Sequence, residues 1–191
     1  GFYENWVVPV PGTELRHDEN LRRDTSVQKL AALRPAFVKA GGTVTAGNSS
    51  PLNDGAGVLL IGDDSLPGEP LARIVSRASH AVDPDVFGIA PVQAANKALS
   101  RAGIGWDDVE VVELNEAFAA QTLACLGEWK ELEPERLNPN GGAVAIGHPL
   151  GASGVRILAG LAQELRRRGG GYGVAAVCIG VGQGLAVVLH A

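Results

Sequence analysis

The stretch Asn138–Gly154, NPNGGAVAIGHPLGASG, constrains this chain more than any other. Glycine loses more conformational freedom on folding than any other residue. Glycines at 141, 142, 147, 151 and 154 are therefore hard to explain by packing alone. Gly147 and Gly151 bring no side chain near His148, so backbone or ligand can approach the ring closely. AVAI (143–146) reads as a strand, and VRILAGLAQELRRR (155–168) as a helix. Pro149 suits a helix first turn, which would place His148 at a helix N-terminus. The macrodipole there disfavours the imidazolium and favours a neutral ring, as a general base requires. On spacing alone, a glycine-rich turn with an incidental histidine carries equal weight.

Composition narrows the classes. The chain has 191 residues, 46% of them hydrophobic, enough for a real core. A net charge of −5 argues against a nucleic-acid surface, and Arg166–Arg168 read as the last turn of a helix. No apolar run approaches the roughly 20 residues of a membrane span, so no membrane partner is expected. The opening GFYENWVVPV lacks a basic region and an apolar core, so it is not a secretory signal. Cys125 and Cys178 lie far apart and form no metal or disulfide framework, which makes a reduced, cytoplasmic setting the default. The absence of methionine and a start within a strand-like run suggest an internal piece of a longer polypeptide.

In order, residues 3–10 read as an edge strand interrupted by proline, and 11–24 as loop. Asp24 or Thr25 is placed to cap a helix carrying Val27, Leu30 and Leu33, ended by Pro35. Val58–Ile61 reads as a strand buried on both faces. The turn formers of 62–70 mark a domain boundary. LARIVSRASHAV follows as a strand, and Pro91 to Gly103 as a helix. VEVVEL is a strand, after which Asn115 can cap the helix EAFAAQTLACLGEW. GVAAVCIG and GLAVVLH form a terminal hairpin through VGQ. Counting AVAI, the expectation is an α/β fold around a mixed five-stranded sheet flanked by helices.

Cys178, near a strand end, is followed by Gly180, Gly182 and Gly184, whose bare backbone can point N–H groups at an oxyanion. A small buried residue before a hairpin is the plainer account of it, as an N-cap is of Asn115 and a turn is of Ser49 and Ser50. Cys125 reads as core; His17, His80 and His190 read as surface or packing histidines. His148, Cys178 and Asn115 nevertheless all fall at strand junctions, where ligands gather in α/β domains. A neutral imidazole, an acidic thiol and an amide make a coherent acid–base and oxyanion set.

At these residues the chain resembles the thiolases. NEAFAAQ (115–121), the 138–154 stretch, CIGVGQG (178–184), TVTAGNSSPLNDGA (43–56) and LRPAF (33–37) carry the likeness, in family order. Pro51 departs from it, standing where thiolases usually have a small residue. The resemblance implies that His148 activates a nucleophilic cysteine and lines an oxyanion hole. It implies that Asn115 holds a water there, that Cys178 moves the proton at the substrate α-carbon, and that Gly180 is a backbone donor to a second oxyanion hole. Ser50 and Ala117 would contact coenzyme A. The implied reaction cleaves a 3-ketoacyl-CoA with coenzyme A, or condenses two acyl-CoAs. Coenzyme A and acyl-CoA are substrates in it, with no tightly bound cofactor and no metal.

The likeness covers only the second half of a thiolase. Residues 1–43 would be the tail of the loop region, 44–68 the last strand of the N-terminal domain with its linker, and 69–191 the C-terminal domain. Neither Cys125 nor Cys178 stands in the nucleophile's sequence context, and without a nucleophile no acyl-enzyme forms. The chain is thus expected to be inactive alone, its nucleophile coming from a missing N-terminal half or partner chain, in a complete enzyme that is a homo-oligomer. A catalytically silent acyl-CoA-binding or scaffolding module is the alternative. A decarboxylating ketoacyl synthase fits poorly, because those enzymes do not carry the CIGVGQG cysteine motif.

Overall fold

The computed structural model describes residues 1–4 and 7–191. Alternation of β-branched runs with alanine- and leucine-rich amphipathic runs produces three layers, helices on either side of one sheet. The strands are β1 (Arg73–Ala81), β2 (Val109–Leu114), β3 (Tyr172–Ile179) and β4 (Gln183–His190), in the order β1-β4-β3-β2. The sheet is mixed: β2 runs parallel to β3, while β4 is antiparallel to both its neighbours.

One layer is α2 (Ala90–Ala102), with Pro91 in its first turn and Gly103 closing it at φ +74°. Its small buried residues Ala94, Ala95 and Ala98 let the helix lie close on Val174, Ala176, Ala186 and Val188. Gly184 of β4 belongs to the same close approach, since a β-carbon there would overlap the Ala90 backbone. α3 (Ala119–Glu128) joins that layer through Cys125 and the fully buried Trp129 that follows it. On the opposite face α5 (Ser153–Arg168) packs Ile157, Leu161 and Leu165 on Val111, Ala175 and Leu189.

Four expectations are corrected. AVAI is not a fifth strand but the short helix α4 (Ala143–Ile146), so the sheet has four strands. Its start is stabilised by the Glu116 carboxylate, which accepts from Val144 N at 3.0 Å, as an anion does at a helix N-terminus. Val58–Ile61 is not a buried strand: no strand pairs with it, and Val58, Leu60 and Ile61 are 91%, 81% and 68% exposed. The first helix, α1 (Val27–Ala31), is capped by Ser26 rather than Asp24 or Thr25 and buries nothing. Of the strand expected at 3–10, residues 5 and 6 lie outside the described residues, and 7–10 form no strand.

Candidate active site

The site forms where β2 and β3, running parallel, end side by side. Asn115 follows β2 and is held by its backbone, whose N–H donates to Ala176 O at 2.9 Å. It does not cap α3, which starts only at Ala119 behind an extended Phe118. Its side chain, 1% exposed, instead points Nδ2 at His148 Nε2, 3.3 Å away. The ring's other nitrogen, Nδ1, lies 2.6 Å from Ser153 Oγ. That hydroxyl donates to Pro149 O at 3.2 Å, so its oxygen is left to accept from Nδ1–H. An amide nitrogen only donates, so Nε2 must present its lone pair to Asn115. With the hydroxyl proton on Pro149 O and the amide nitrogen facing the ring, both contacts are met by one neutral tautomer: proton on Nδ1, lone pair on Nε2.

Burial, and secondarily the Arg156 charge, lower the proton affinity of His148 below the ordinary histidine range. The ring is thus neutral near pH 7, but not because of a helix end directly beside it. α5 begins only at Ser153, with Pro149 opening the turn before it through its carbonyl, which accepts from Ala152 N and Ser153 N at 2.8 Å each.

Residues from the early part of the chain form one wall. Asn48 O accepts from Ala119 N at 2.8 Å, and Pro51 O accepts from His148 N at 2.7 Å. Ser50 donates to Ala117 O through both its backbone N–H (3.1 Å) and its hydroxyl (3.0 Å). Asn53 Nδ2 donates to Ile146 O at 3.1 Å. The candidates Ser50 and Ala117 are therefore brought into direct contact, one residue from the Pro51–His148 link.

Cys178 lies two residues beyond Ala176 on β3, about 7 Å along the strand. The site therefore gathers it at the same sheet end as Asn115, although no hydrogen bond joins its thiol to His148. The thiol is not acidic: burial raises it above the ordinary cysteine value. Gly180, exposed, begins the connection to β4, in which Val181 takes the left-handed conformation (φ +59°, ψ +28°). Cys125 is core, as expected; its thiol is pushed up to about 12 by burial. His190 is an exposed packing residue, its ring 4.4 Å from that of Tyr172.

The motif reading missed several supports. Asn138, at φ +47°, turns its amide onto the β2 edge: Oδ1 accepts from Leu114 N at 2.8 Å, and Nδ2 donates to Leu114 O at 2.9 Å and Glu116 Oε1 at 3.1 Å. Glu164, fully buried, accepts from Asn140, Arg167 and Arg168 and so ties the glycine-rich loop to α5. Glu113, 6% exposed, stands two residues before Asn115; burial raises its carboxyl to about 8. An acid on the core side of a strand was the available signal for Glu113, and Ser153, five residues after His148, was visible in the motif itself. Among the described residues no group of three His, Cys, Asp or Glu side chains could hold a metal ion, and no helix is long and apolar enough to cross a membrane.

This geometry has close counterparts. Residues 68–191 match the family model for the thiolase C-terminal domain, and residues 1–65 that for the thiolase N-terminal domain. A 3-ketoacyl-CoA thiolase of Aliivibrio fischeri is 46% identical over 203 residues, covering 100% of this chain and 52% of that protein. A 3-oxoadipyl-CoA/3-oxo-5,6-dehydrosuberyl-CoA thiolase of Escherichia coli is also 46% identical, over 93% of this chain and 45% of its own length. Among solved structures, the Bacillus anthracis acetyl-CoA acetyltransferase superposes with a TM-score of 0.92 at 42% identity, over 100% of this chain and 50% of that one. Human mitochondrial 3-ketoacyl-CoA thiolase in complex with CoA gives 0.87 at 46% identity, over 93% and 45%. The chain thus spans about half the length of the relatives it matches. With one family model matching most of the chain and the fold agreeing throughout, this chain belongs to the thiolase family.

Proposed function

We propose that the chain is the C-terminal part of an acyl-CoA C-acyltransferase that cleaves 3-ketoacyl-CoA with coenzyme A or, in reverse, condenses two acyl-CoAs. The observation that carries this is the His148 ring held neutral, proton on Nδ1, by Ser153 and Asn115, at the sheet end bearing Cys178 and Gly180. In this reading the Nε2 lone pair takes the proton of a nucleophilic cysteine thiol. That sulfur bonds to the 3-keto carbon, and the bond between the α- and keto carbons breaks. The departing enolate takes its proton from Cys178, whose raised proton affinity keeps the thiol protonated and suited to give one. Coenzyme A then displaces the acyl group from the nucleophile. The Gly180 N–H serves one developing oxyanion, His148 with a water held by Asn115 serves the other, and Ser50 and Ala117 line the coenzyme A side.

Cys125 is sealed in the core and Cys178 has the proton-transfer place, so the nucleophile belongs to another segment or chain. The exposed run Val58–Ile61 fits the last strand of the N-terminal domain, awaiting its neighbours, with residues 1–43 as loop-region tail and 69–191 as C-terminal domain. A homo-oligomer of the completed enzyme, in the cytoplasm where free thiols stay reduced, belongs to the same proposal. In thiolysis of acetoacetyl-CoA, the 191-residue chain alone gives no turnover. Adding a segment with a reactive cysteine, in cis or in trans, restores it, and His148→Ala or Cys178→Ala then abolishes it. Turnover by the chain alone would refute the missing nucleophile; a completed enzyme indifferent to both substitutions would refute the assignment.

A further inference from the structure

Arg156 sits in the first turn of α5, where a cation opposes the helix macrodipole. It is half-buried, and among the described residues it forms no salt bridge. Its Nη1 instead donates to Gly147 O, at 2.8 Å, in the residue before His148. Gly147 has φ +87°, and the Asn53 amide fills the space a β-carbon would need. Asn53 donates to Ile146 O and His148 N donates to Pro51 O, so three consecutive residues, 146–148, are each tied by a backbone group.

We propose that Arg156 is a positioning residue for His148: by fixing the Gly147 carbonyl, it locks the turn that aims the imidazole at Ser153 and Asn115. The Gly147 N–H is held by Ala143 O at 2.9 Å, so the Arg156 bond adds the hold on its carbonyl end, where a residue with no side chain has least to restrain it. The guanidinium charge acts in the same direction, since it opposes protonation of the ring. The groups that face Arg156 set how much of that charge reaches the ring. They are Glu113 on β2, Glu116 after β2, and Tyr3 and Asp18 from the early chain. The Glu116 carboxylate is already engaged by Asn138 and Val144. Glu113, with its carboxyl raised to about 8, is neutral near pH 7 and leaves the charge largely unopposed. Tyr3, Glu113, Asn115 and Arg156 line one cavity of about 10 Å³, so the acid, the amide and the cation share a wall.

The inference deepens the reading of His148 as a base but is tested on the ring itself, without turnover. Long-range ¹H–¹⁵N imidazole spectra of the 191-residue chain, with His148 assigned by its loss in His148→Asn, read tautomer and titration midpoint together. The wild type shows the Nδ1–H form and a midpoint below the ordinary histidine value. In Arg156→Gln the midpoint rises by about 0.5 in pH or more and the tautomer becomes mixed; Arg156→Lys, which keeps the charge, restores the lower midpoint. An Arg156→Gln chain with native circular dichroism and an unchanged His148 spectrum overturns the proposal. Should that variant fail to fold, the wild type decides. Arg156 guanidinium protons exchanging as fast as those of exposed Arg22 overturn it, and slow exchange supports it. A completed enzyme, bearing the reactive cysteine, that gave no thiolysis while these spectra came out as expected would count against the proposed reaction alone.

Discussion

Glu113→Gln should stabilise this protein more as the pH rises. In the folded chain the Glu113 carboxyl is raised from 4.5 to about 8 by burial first, then by Glu116 and Glu164, against the pull of Arg156. A raised acid contributes stability that is complete below the unfolded value and is lost as pH climbs through the folded one. The whole interval, 8 minus 4.5, is worth about 5 kcal/mol at 1.36 kcal/mol per unit. Between pH 5 and pH 8 the loss is about 3.5 kcal/mol by the same relation. Glutamine has nearly the same shape and no proton to lose. Whatever packing or hydrogen-bond cost it brings is the same at both pH values, and other titrating groups cancel between the two proteins. Urea unfolding of wild type and variant at pH 5 and pH 8 isolates the linkage, provided the m-values agree. The stability difference, variant minus wild type, should grow by about 2 to 4 kcal/mol between the two pH values. A difference equal at both, within about 0.5 kcal/mol, would refute the buried neutral acid and with it the account of Arg156's unopposed charge.

Glu164 tests the opposite sign. The Arg167 hydrogen bonds first, then Arg168 and Asn140, hold its carboxyl at about 2, so its contribution is present above the unfolded value and lost as pH falls towards 2. Glu164→Gln should cost about 2 kcal/mol at pH 7, discounted because the Arg167 side chain is 62% exposed, and the gap should close by pH 2 to 3 in thermal melts; a gap that persists there would contradict the linkage. Val181→Gly should raise the melting temperature by a few degrees, because a left-handed β-branched residue costs about 1–3 kcal/mol and glycine returns about 1 kcal/mol of that as entropy. The Val181 side chain is 76% exposed, so little packing is lost; a lower melting temperature would contradict the strain.

The sequence was most legible where one local signal decided the outcome. Pro91 and Gly103 bracket α2 as their backbone preferences require, and the terminal hairpin follows from two apolar runs around VGQ. It misled where the deciding partner was distant. AVAI has strand-forming residues, but Glu116, twenty-eight positions before Val144, caps it as a helix. Asn115 looks like a helix cap, yet the imidazole thirty-three residues on claims its amide. Val58–Ile61 reads as buried because it is apolar, whereas burial needs a covering surface that no described residue provides. The neutrality of His148 was expected from a helix N-terminus, but its cause, burial together with Arg156, depends on tertiary packing. The supposed acidity of Cys178 failed for the same reason: its surroundings are dry rather than electropositive.

The bonds from Asn48, Pro51 and Asn53 to Ala119, His148 and Ile146 cross the border between the two family domains. A boundary that looks like a hinge on paper is a seam in space, with the histidine turn stitched into it. Dissecting the protein at residues 66–67 would spare the four-stranded sheet and the ring's contacts with Asn115 and Ser153, but strip the histidine turn of its ties to Pro51 and Asn53, so the wall of this site is larger than either domain.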